Sequence, residues 1–242
     1  AMTEEFGAVY RLHPLLPDEF DFRAHEDDRH LTRKTLLDVF AGGATQVRRE
    51  VGFANALYSL ATLNPGAMVL HNYPESLRNL PKKPEEGIWL DLATVDVLRD
   101  RERGVPRYNA FRRVLGMKPI RRFEDLTTVK RDQELLREIY EGDIDRVDLL
   151  VGCLAEFQSK RQPVGFGFSD TAFRIFILMA SRRLKSDRFF TTDFTPEVYT
   201  PLGYSWIQNN GMRDVVRRHV PELEPHFADV RSMFYPWRRG GS

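Results

Sequence analysis

Apolar residues recur at helical spacing along most of this chain, and this periodicity constrains the fold more than any other feature of the sequence. No run of β-branched residues alternates with polar ones for long enough to predict a sheet. Prolines and glycines separate the periodic segments, as is typical of turns. The sequence therefore predicts a mostly α-helical fold, with helices near residues 3–13, 31–41, 44–62, 88–103, 105–115, 129–140, 144–160, 169–184 and 210–219.

Chain length and charge narrow the class of protein. The 242 residues suffice for one domain, or for two at most. The 36 basic and 35 acidic side chains leave a formal net charge of +1, so no overall field attracts nucleic acid, and we expect no such partner. We assign residues 1–237 to part of one domain and expect residues 238–242 to form a flexible tail.

The single cysteine and the lack of long apolar runs bear on location. Cys153 lies in the apolar run 149–154, which predicts a buried thiol and excludes a disulfide within the chain. This favours a reducing compartment. No leader and no stretch of about 18 apolar residues is seen, so we expect a soluble, cytoplasmic protein. Ala1 and Met2 resemble a cloning remnant, and we expect natural sequence upstream of them.

Two chemically capable side chains lie close together near the N-terminus. Phe6, Tyr10 and His13 are spaced four and three residues apart, which predicts that they share one face of a helix. Pro14 disfavours helical geometry at the residue before it, so we expect His13 on the last turn, with its imidazole facing a cavity. By spacing alone, a half-buried packed pair explains these residues better than a reactive site does.

The identity of the surrounding residues adds a second argument. Residues 5–18 (EFGAVYRLHPLLPD) resemble a segment of cyclooxygenases and α-dioxygenases, members of the animal haem peroxidase superfamily, that carries a radical-forming tyrosine and the proximal haem histidine. The resemblance implies that Tyr10 abstracts hydrogen and that His13 binds the iron of haem b. In such chemistry the protein's part is positioning and the exclusion of water.

A second resemblance lies in the middle of the chain. Residues 90–112 resemble the haem peroxidase signature, in which an asparagine hydrogen-bonds the proximal histidine and an arginine three residues later contacts a haem propionate. Those positions are Asp96 and Arg99 here, so the asparagine is replaced. A carboxylate at this position would raise the basicity of His13 and fix its orientation. The alternative is that residues 99–103 form an ordinary salt-bridged, solvated helix face.

An arginine ends an apolar stripe in the predicted helix 169–184. The stripe could line an alkyl tunnel, with Arg183 gripping a carboxylate at its end. Pattern alone favours core packing, with Arg183 reaching out to water. Residues 180–191 resemble the α-dioxygenase stretch whose second paired arginine binds the fatty-acid carboxylate, and residues 199–223 continue the likeness. The resemblance therefore implies that Arg183 binds the substrate.

The resemblance covers nearly the whole chain and implies the proximal, C-terminal half of a haem-peroxidase-like helical domain. The implied activity is that of an oxidoreductase, which converts a fatty acid and O2 to the 2-hydroperoxy acid through a tyrosyl radical. Two alternatives stay open. One is a haem peroxidase that oxidises small reductants, and the other is a catalytically silent fragment or interaction domain.

The distal side of the haem has no counterpart in this sequence. Family members carry a distal histidine well upstream of the tyrosine segment. None of the remaining histidines matches its motif, so we expect surface or capping roles for His25, His30, His71, His219 and His226. The resemblance therefore implies an upstream, distal-haem half of the same enzyme as a partner. It leaves peripheral association with membranes open.

Overall fold

The computed structural model describes residues 3–40, 42–157 and 162–241. Helices dominate, so the prediction of a mostly α-helical fold is confirmed. The described residues also contain four short strands: β1 (Glu19–Arg23), β2 (His30–Thr35), β3 (Leu80–Lys83) and β4 (Ile88–Leu90). The helices are α1 (Glu4–Val9), α2 (Leu36–Val39), α3 (Gly43–Val51), α4 (Phe53–Thr62), α5 (Glu75–Arg78), α6 (Leu92–Glu102), α7 (Tyr108–Val114), α8 (Phe123–Leu126), α9 (Lys130–Ile139), α10 (Leu149–Phe157), α11 (Asp170–Ser186), α12 (Pro196–Tyr199), α13 (Pro201–Gln208), α14 (Met212–His219) and α15 (Glu224–Phe227). Within the described part of the chain, no helix is both long and apolar enough to cross a bilayer.

Two antiparallel hairpins interrupt the helical pattern, and the sequence did not predict them. β1 pairs with β2, and β3 pairs with β4. Residues 31–35, predicted to begin a helix, lie in β2, and the helix predicted at 88–103 begins as β4 and is helical only from Leu92. In β1, Phe20 and Phe22 are buried between polar neighbours. This alternation is only five residues long, which is too short to stand out against the helical periodicity around it.

Backbone chemistry also divides two of the predicted helices. The segment 44–62 is interrupted at Gly52, whose φ of 83° is readily adopted by glycine and ends the helical ladder. The segment 3–13 is helical only as α1, and a separate 3₁₀ turn, His13–Leu15, follows it.

The remaining helix predictions agree with the structure to within a few residues, except that the helix predicted at 144–160 begins only at Leu149, after a separate 3₁₀ turn, Ile144–Arg146. Residues 158–160, the end of one predicted helix, lie outside the described residues. The matching pairs are 105–115 with α7, 129–140 with α9, 144–160 with α10, 169–184 with α11 and 210–219 with α14.

The chain forms two compact units, each built from two separate stretches of sequence. Unit 1 contains the residues up to Leu16 and Gly66–Lys185, and unit 2 contains Pro17–Pro65 and the residues from Ser186 onward. Each unit has its own apolar core. Fully buried members are Tyr108, Leu126, Val147 and Ala155 in unit 1, and Tyr58, Leu223 and Phe227 in unit 2.

Residues 238–241, which we expected to be flexible, make hydrogen bonds within unit 2. The guanidinium of Arg239 lies 3.1 Å from the carboxylate of Asp28. The backbone amide of Gly240 donates to the hydroxyl of Tyr58 at 2.9 Å. The described part of this segment therefore makes specific contacts within unit 2, and the flexibility of residues 238–242 stays a prediction.

A buried ion pair joins three helices of unit 1. The guanidinium of Arg112 on α7 lies 2.7 Å from Glu156 on α10, and the same nitrogen lies 2.7 Å from the hydroxyl of Thr171 on α11. The exposed fractions of the two charged side chains are 7% and 1%. The second oxygen of Glu156 accepts from the amide of Thr171, so the carboxylate is well satisfied. α11, which bears Phe176 and Arg183, is thereby fixed to the rest of unit 1.

Glu156→Ala is expected to lower the free energy of unfolding by about 3–5 kcal/mol, because it leaves the Arg112 charge buried without its partner. Urea unfolding followed by circular dichroism measures this loss. The matched control is Glu86→Ala, which removes a half-exposed pair with Lys83 and should cost less than about 1 kcal/mol. Equal losses in the two variants would contradict this reading of the buried pair.

Candidate functional site

Tyr10 follows the last residue of α1 and packs in an aromatic stack. The helix ends at Val9, and Tyr10 has a non-helical backbone, with φ −90° and ψ 16°. Its ring centre lies 5.1 Å from that of Phe6 and 6.2 Å from that of Phe176, nearly parallel to the latter at 6°. The side chain is 50% exposed. The phenol is therefore held by apolar neighbours while half of its surface stays open to a ligand.

His13 lies in the 3₁₀ turn His13–Leu15 and not on α1, so the prediction of one shared helical face is wrong. Pro14 is the second residue of this turn and cannot continue the helical hydrogen-bond ladder, so the chain leaves the helix before reaching it. Tyr10 and His13 are nevertheless brought together. Both line one open groove of about 470 Å³, with Phe6, Gly7, Arg11, Leu12 and Leu16.

The imidazole of His13 is held by two side chains from distant parts of unit 1. Its Nδ1 lies 3.1 Å from the hydroxyl of Tyr73 and 3.4 Å from Oδ2 of Asp96. The Tyr73 hydroxyl lies 3.3 Å from the same carboxylate oxygen. These distances favour a directional chain in which Nδ1–H of His13 donates to Tyr73 and the Tyr73 hydroxyl donates to Asp96. Asp96 thus lies close to His13, as the prediction of a partner requires, with Tyr73 as a second neighbour.

Asp96 is a buried carboxylate on α6. It is 3% exposed, and its other oxygen lies 3.2 Å from Nε of Arg11. Burial, together with the Asp96 carboxylate, raises the pKa of Tyr73 above its ordinary value, so the phenol keeps its proton at neutral pH. A protonated Tyr73 can donate to Asp96 and accept from His13 at the same time.

The second ring nitrogen of His13, Nε2, is the one left for a ligand. Among the residues that the structure describes, none forms a hydrogen bond with Nε2, and the side chain is 31% exposed at the groove. A histidine that uses one ring nitrogen in an oriented hydrogen bond and presents the other to a cavity has the geometry of a metal-ligating imidazole. This donor arrangement fits a haem iron bound by Nε2 on the groove side.

Tyr73 was missed by sequence reasoning. It is 60 residues from His13 and lies in irregular structure just before α5, so no helical or strand period connects the two. The one local signal is its position before Pro74, which restricts the backbone of Tyr73 to extended geometry. That signal concerns conformation and says nothing about a partner.

Asp100 is a second buried carboxyl group on α6, one turn beyond Asp96. It is 5% exposed, and its Oδ2 has no hydrogen-bond partner among the described residues. Burial, only partly offset by Arg11 and reinforced by nearby carboxylates, raises the pKa of Asp100 to about 6. The folded protein therefore binds this proton more tightly than an exposed aspartate does.

The raised pKa of Asp100 predicts a stability that depends on pH. Such a carboxyl group stabilises the fold below its ordinary pKa of 3.8, and this stabilisation is lost as the pH rises through about 6. Asp100→Asn mimics the protonated acid, so we expect it to be more stable than the parent at pH 7 by roughly 1–3 kcal/mol. At pH 4 the two proteins should differ little. Urea unfolding at both pH values tests this, and a difference that is the same at each would contradict it.

The two arginines predicted to bind anionic groups have exposed side chains. Arg99 lies on α6, three residues after Asp96. Arg183 lies on the last turn of α11, seven residues after Phe176. The side chains of Phe176 and Arg183 therefore project from the same face of α11, about 10 Å apart along its axis. The roles of Arg99 and Arg183 stay predictions.

The other histidines differ in their surroundings. His30 and His219 are exposed, as expected. His226 is not a surface residue: it is 8% exposed, its Nδ1 lies 2.9 Å from the carbonyl oxygen of Arg238, and its ring centre lies 4.8 Å from that of Tyr58. Its role is therefore in the packing of unit 2.

Comparison with known proteins identifies the class to which this fold and site belong. The profile of the animal haem peroxidase family matches residues 1–231, and the chain belongs to that family. The chain is 42% identical to the α-dioxygenase PIOX of Oryza sativa subsp. japonica over 249 residues and 39% identical to α-dioxygenase 1 of Arabidopsis thaliana over 250 residues. Each match covers 98% of this chain but only 40% and 38% of the relative, so the chain spans about two fifths of their length.

Solved structures agree with the family assignment. The fatty acid α-dioxygenase of Oryza sativa superposes with a TM-score of 0.87 at 40% identity, over 98% of this chain and 40% of that one. The Arabidopsis thaliana enzyme gives 0.86 at 37% identity, over 98% and 38%. Peroxidase A of Dictyostelium discoideum gives 0.75 at 24% identity, over 90% and 40%, and shares the fold. The predicted haem-peroxidase-like helical fold is confirmed.

Proposed function

We propose that this chain is the haem-proximal part of a fatty-acid α-dioxygenase, an oxidoreductase that converts a fatty acid and O2 to the 2-hydroperoxy acid. The observation that carries the proposal is the meeting of Tyr10 and His13 at one groove, with Nδ1 of His13 engaged by Tyr73 and Asp96. The relatives support the substrate class, since they are fatty acid α-dioxygenases. A tyrosine-to-phenylalanine variant of the Oryza sativa enzyme has been crystallised with palmitic acid.

In this proposal Nε2 of His13 binds the iron of haem b. When bound, the haem supplies the one-electron oxidising power that protein side chains lack. Nδ1 of His13 donates towards Tyr73 and Asp96, which makes the imidazole a stronger donor and fixes the plane of its ring. Arg99 is proposed to balance the charge of a haem propionate.

Tyr10 is the residue that transfers hydrogen atoms. Loss of one electron and one proton from its hydroxyl leaves a phenoxyl radical, which takes a hydrogen atom from the carbon next to the substrate carboxylate. O2 adds to the carbon radical, and the resulting peroxyl radical recovers a hydrogen atom from the Tyr10 hydroxyl. The 2-hydroperoxy acid leaves, and the Tyr10 radical is restored. Phe6 and Phe176 provide apolar walls for the ring, which helps to exclude water.

Arg183 is proposed to hold the substrate carboxylate. It lies two helical turns beyond Phe176, which packs against the Tyr10 ring, and helical side chains tilt back towards the N-terminus of their helix. A guanidinium can bind a carboxylate through two parallel hydrogen bonds. A carboxylate held by Arg183 would bring the α-carbon, and not a carbon further along the alkyl chain, beside Tyr10.

A second part of the same enzyme is proposed as a partner. The groove that holds Tyr10 and His13 is open, and the relatives are more than twice as long as the matched region. We propose that the distal side of the haem is completed by sequence that lies upstream in the enzyme. The proposed location is the cytoplasm.

Oxygen uptake with palmitic acid tests the proposed function. We expect the haem-loaded enzyme, with this chain joined to its upstream distal part, to consume about one O2 per palmitate, with the hydroperoxide on C2 of the product as shown by mass spectrometry. Oxidation of phenols by hydrogen peroxide, without uptake of O2, would identify a peroxidase instead. A protein that binds neither haemin nor fatty acid would be a silent interaction domain.

A further inference from the structure

The segment that carries Tyr73 is attached at several points to the 3₁₀ turn His13–Leu15. The amide of Gly66 donates to a carbonyl of that turn at 3.0 Å, and Nδ2 of Asn72 donates to the carbonyl of Pro14 at 2.8 Å. Gly66 approaches so closely that an added Cβ would lie 2.2 Å from the Pro14 oxygen. Together with the Tyr73 contact to the imidazole, these bonds tie the two segments to one another.

An unusual histidine–aspartate pair lies two residues before Tyr73. Nε2 of His71 lies 2.8 Å from Oδ1 of Asp132, on the first turn of α9. The imidazole is 58% exposed, whereas the carboxylate is 2% exposed and its Oδ2 has no hydrogen-bond partner among the described residues. Loss of His71 would leave neither side-chain oxygen of this buried carboxylate with a hydrogen-bond partner among the described residues, which is costly for a buried polar group.

The backbone of His71 lies in the left-handed region, with φ 63°. Histidine adopts this conformation uncommonly, and it persists where the surrounding structure imposes it. Here Asp132 holds the side chain of His71, while Asn72 and Tyr73 are bonded to the turn that contains His13. Loss of the Asp132 contact therefore removes one of the restraints that fix the place of Tyr73.

We propose that Asp132 and His71 are a positioning pair, which sets the place of the Tyr73 hydroxyl and, through it, the hydrogen bond on His13. The proposal rests on the proposed role of His13 as the iron ligand. The pair acts through Tyr73 and not on the groove itself. This positioning role explains why the exposed imidazole of His71 is held by the buried carboxylate of Asp132. It also explains why His71 has a left-handed backbone two residues before Tyr73, which contacts His13.

Haem affinity of the full chain and its variants, measured by haemin titration, tests the positioning role. We expect His71→Ala and Asp132→Ala each to weaken haem binding about tenfold, as the loss of groups that orient a ligating histidine does. Asp132→Asn keeps an oxygen acceptor for His71 and should stay within about twofold of the parent. The matched control is His30→Ala, which removes an exposed histidine paired with Asp21 at 2.5 Å and should leave haem affinity unchanged.

A double variant separates action through Tyr73 from a general structural role. In Tyr73→Phe the hydrogen bond to His13 is already lost, so adding His71→Ala should change haem affinity by less than about twofold. The same tenfold loss in both backgrounds, or no loss in the parent background, would overturn the positioning role. Far-UV circular dichroism verifies that each variant is folded.

One outcome of the haemin titration and one further measurement separate a failure of this inference from a failure of the proposed function. If the parent and the His71 variants bind haemin equally while His13→Ala does not, the positioning role fails and the iron ligand stands. In the haem-free protein, we expect His71→Ala to speed hydrogen exchange of the Gly66 amide, which donates to the carbonyl of Leu15, by at least about tenfold. Unchanged exchange there would overturn the inference without reference to haem.

Discussion

Tyr10→Phe is expected to reduce oxygen uptake with palmitic acid to background, a loss of at least about a thousandfold, while haem binding persists. Phenylalanine keeps the ring that packs 5.1 Å from Phe6 and 6.2 Å from Phe176, so the local structure is conserved. Only the hydroxyl hydrogen is lost, and with it the group that takes hydrogen from the α-carbon and returns it to the peroxyl radical. An oxygen electrode measures the activity, and a haemin titration verifies binding.

Tyr235→Phe is the matched control for this experiment. Tyr235 is a tyrosine of unit 2 with nearly the same exposure as Tyr10, 51% against 50%. We expect this variant to keep the oxygen uptake of the parent. Full dioxygenase activity in Tyr10→Phe would disprove the assignment of the radical to Tyr10.

His13→Ala is expected to weaken haem binding by more than about a hundredfold, because removal of the ligand itself exceeds the 10- to 100-fold effect of losing its hydrogen-bond partners. Loss of the imidazole removes the Nε2 lone pair that is proposed to bind the iron. It also removes the contacts of Nδ1 with Tyr73 and Asp96. The Soret band of a haemin titration reports this loss directly. Added imidazole should restore part of the band, since a free ligand can occupy the vacated space.

His219→Ala is the control for this prediction. His219 is an exposed histidine on α14, and its removal should leave the Soret band unchanged. An unaltered band in His13→Ala would show that the iron is held elsewhere and would remove the basis of the proposed site.

The site could be predicted from the sequence only where the chemistry is local. Tyr10 and His13 are three residues apart, and Asp96 lies in a segment with a distinctive pattern, so the structure brings together residues that the sequence had singled out. Tyr73 and His71 could not be found in this way. Their contacts with His13 and Asp132 span 60 and 61 residues and arise from how irregular structure packs in unit 1.

The fold shows the same division between local and distant information. Long periodic helices such as α9 and α11 follow from the sequence, because an apolar stripe repeats over several turns. The hairpin of β1 and β2 was missed because its pattern is short and its pairing joins separate segments. The end of α1 was misplaced because the chain leaves the helix at Tyr10, four residues before the proline that was expected to end it.

The interleaving of the two units also has a consequence for synthesis on the ribosome. Pro17–Pro65 is made early, but unit 2 cannot close until the residues from Ser186 onward have emerged, after all of Gly66–Lys185. Translation at about 5–20 residues per second makes that delay several seconds or longer. During this delay, core side chains of the early segment, such as Tyr58, lack the partners that come from the C-terminal stretch of unit 2, such as Leu223 and Phe227. This early segment is thus available to nascent-chain chaperones for the whole of that delay.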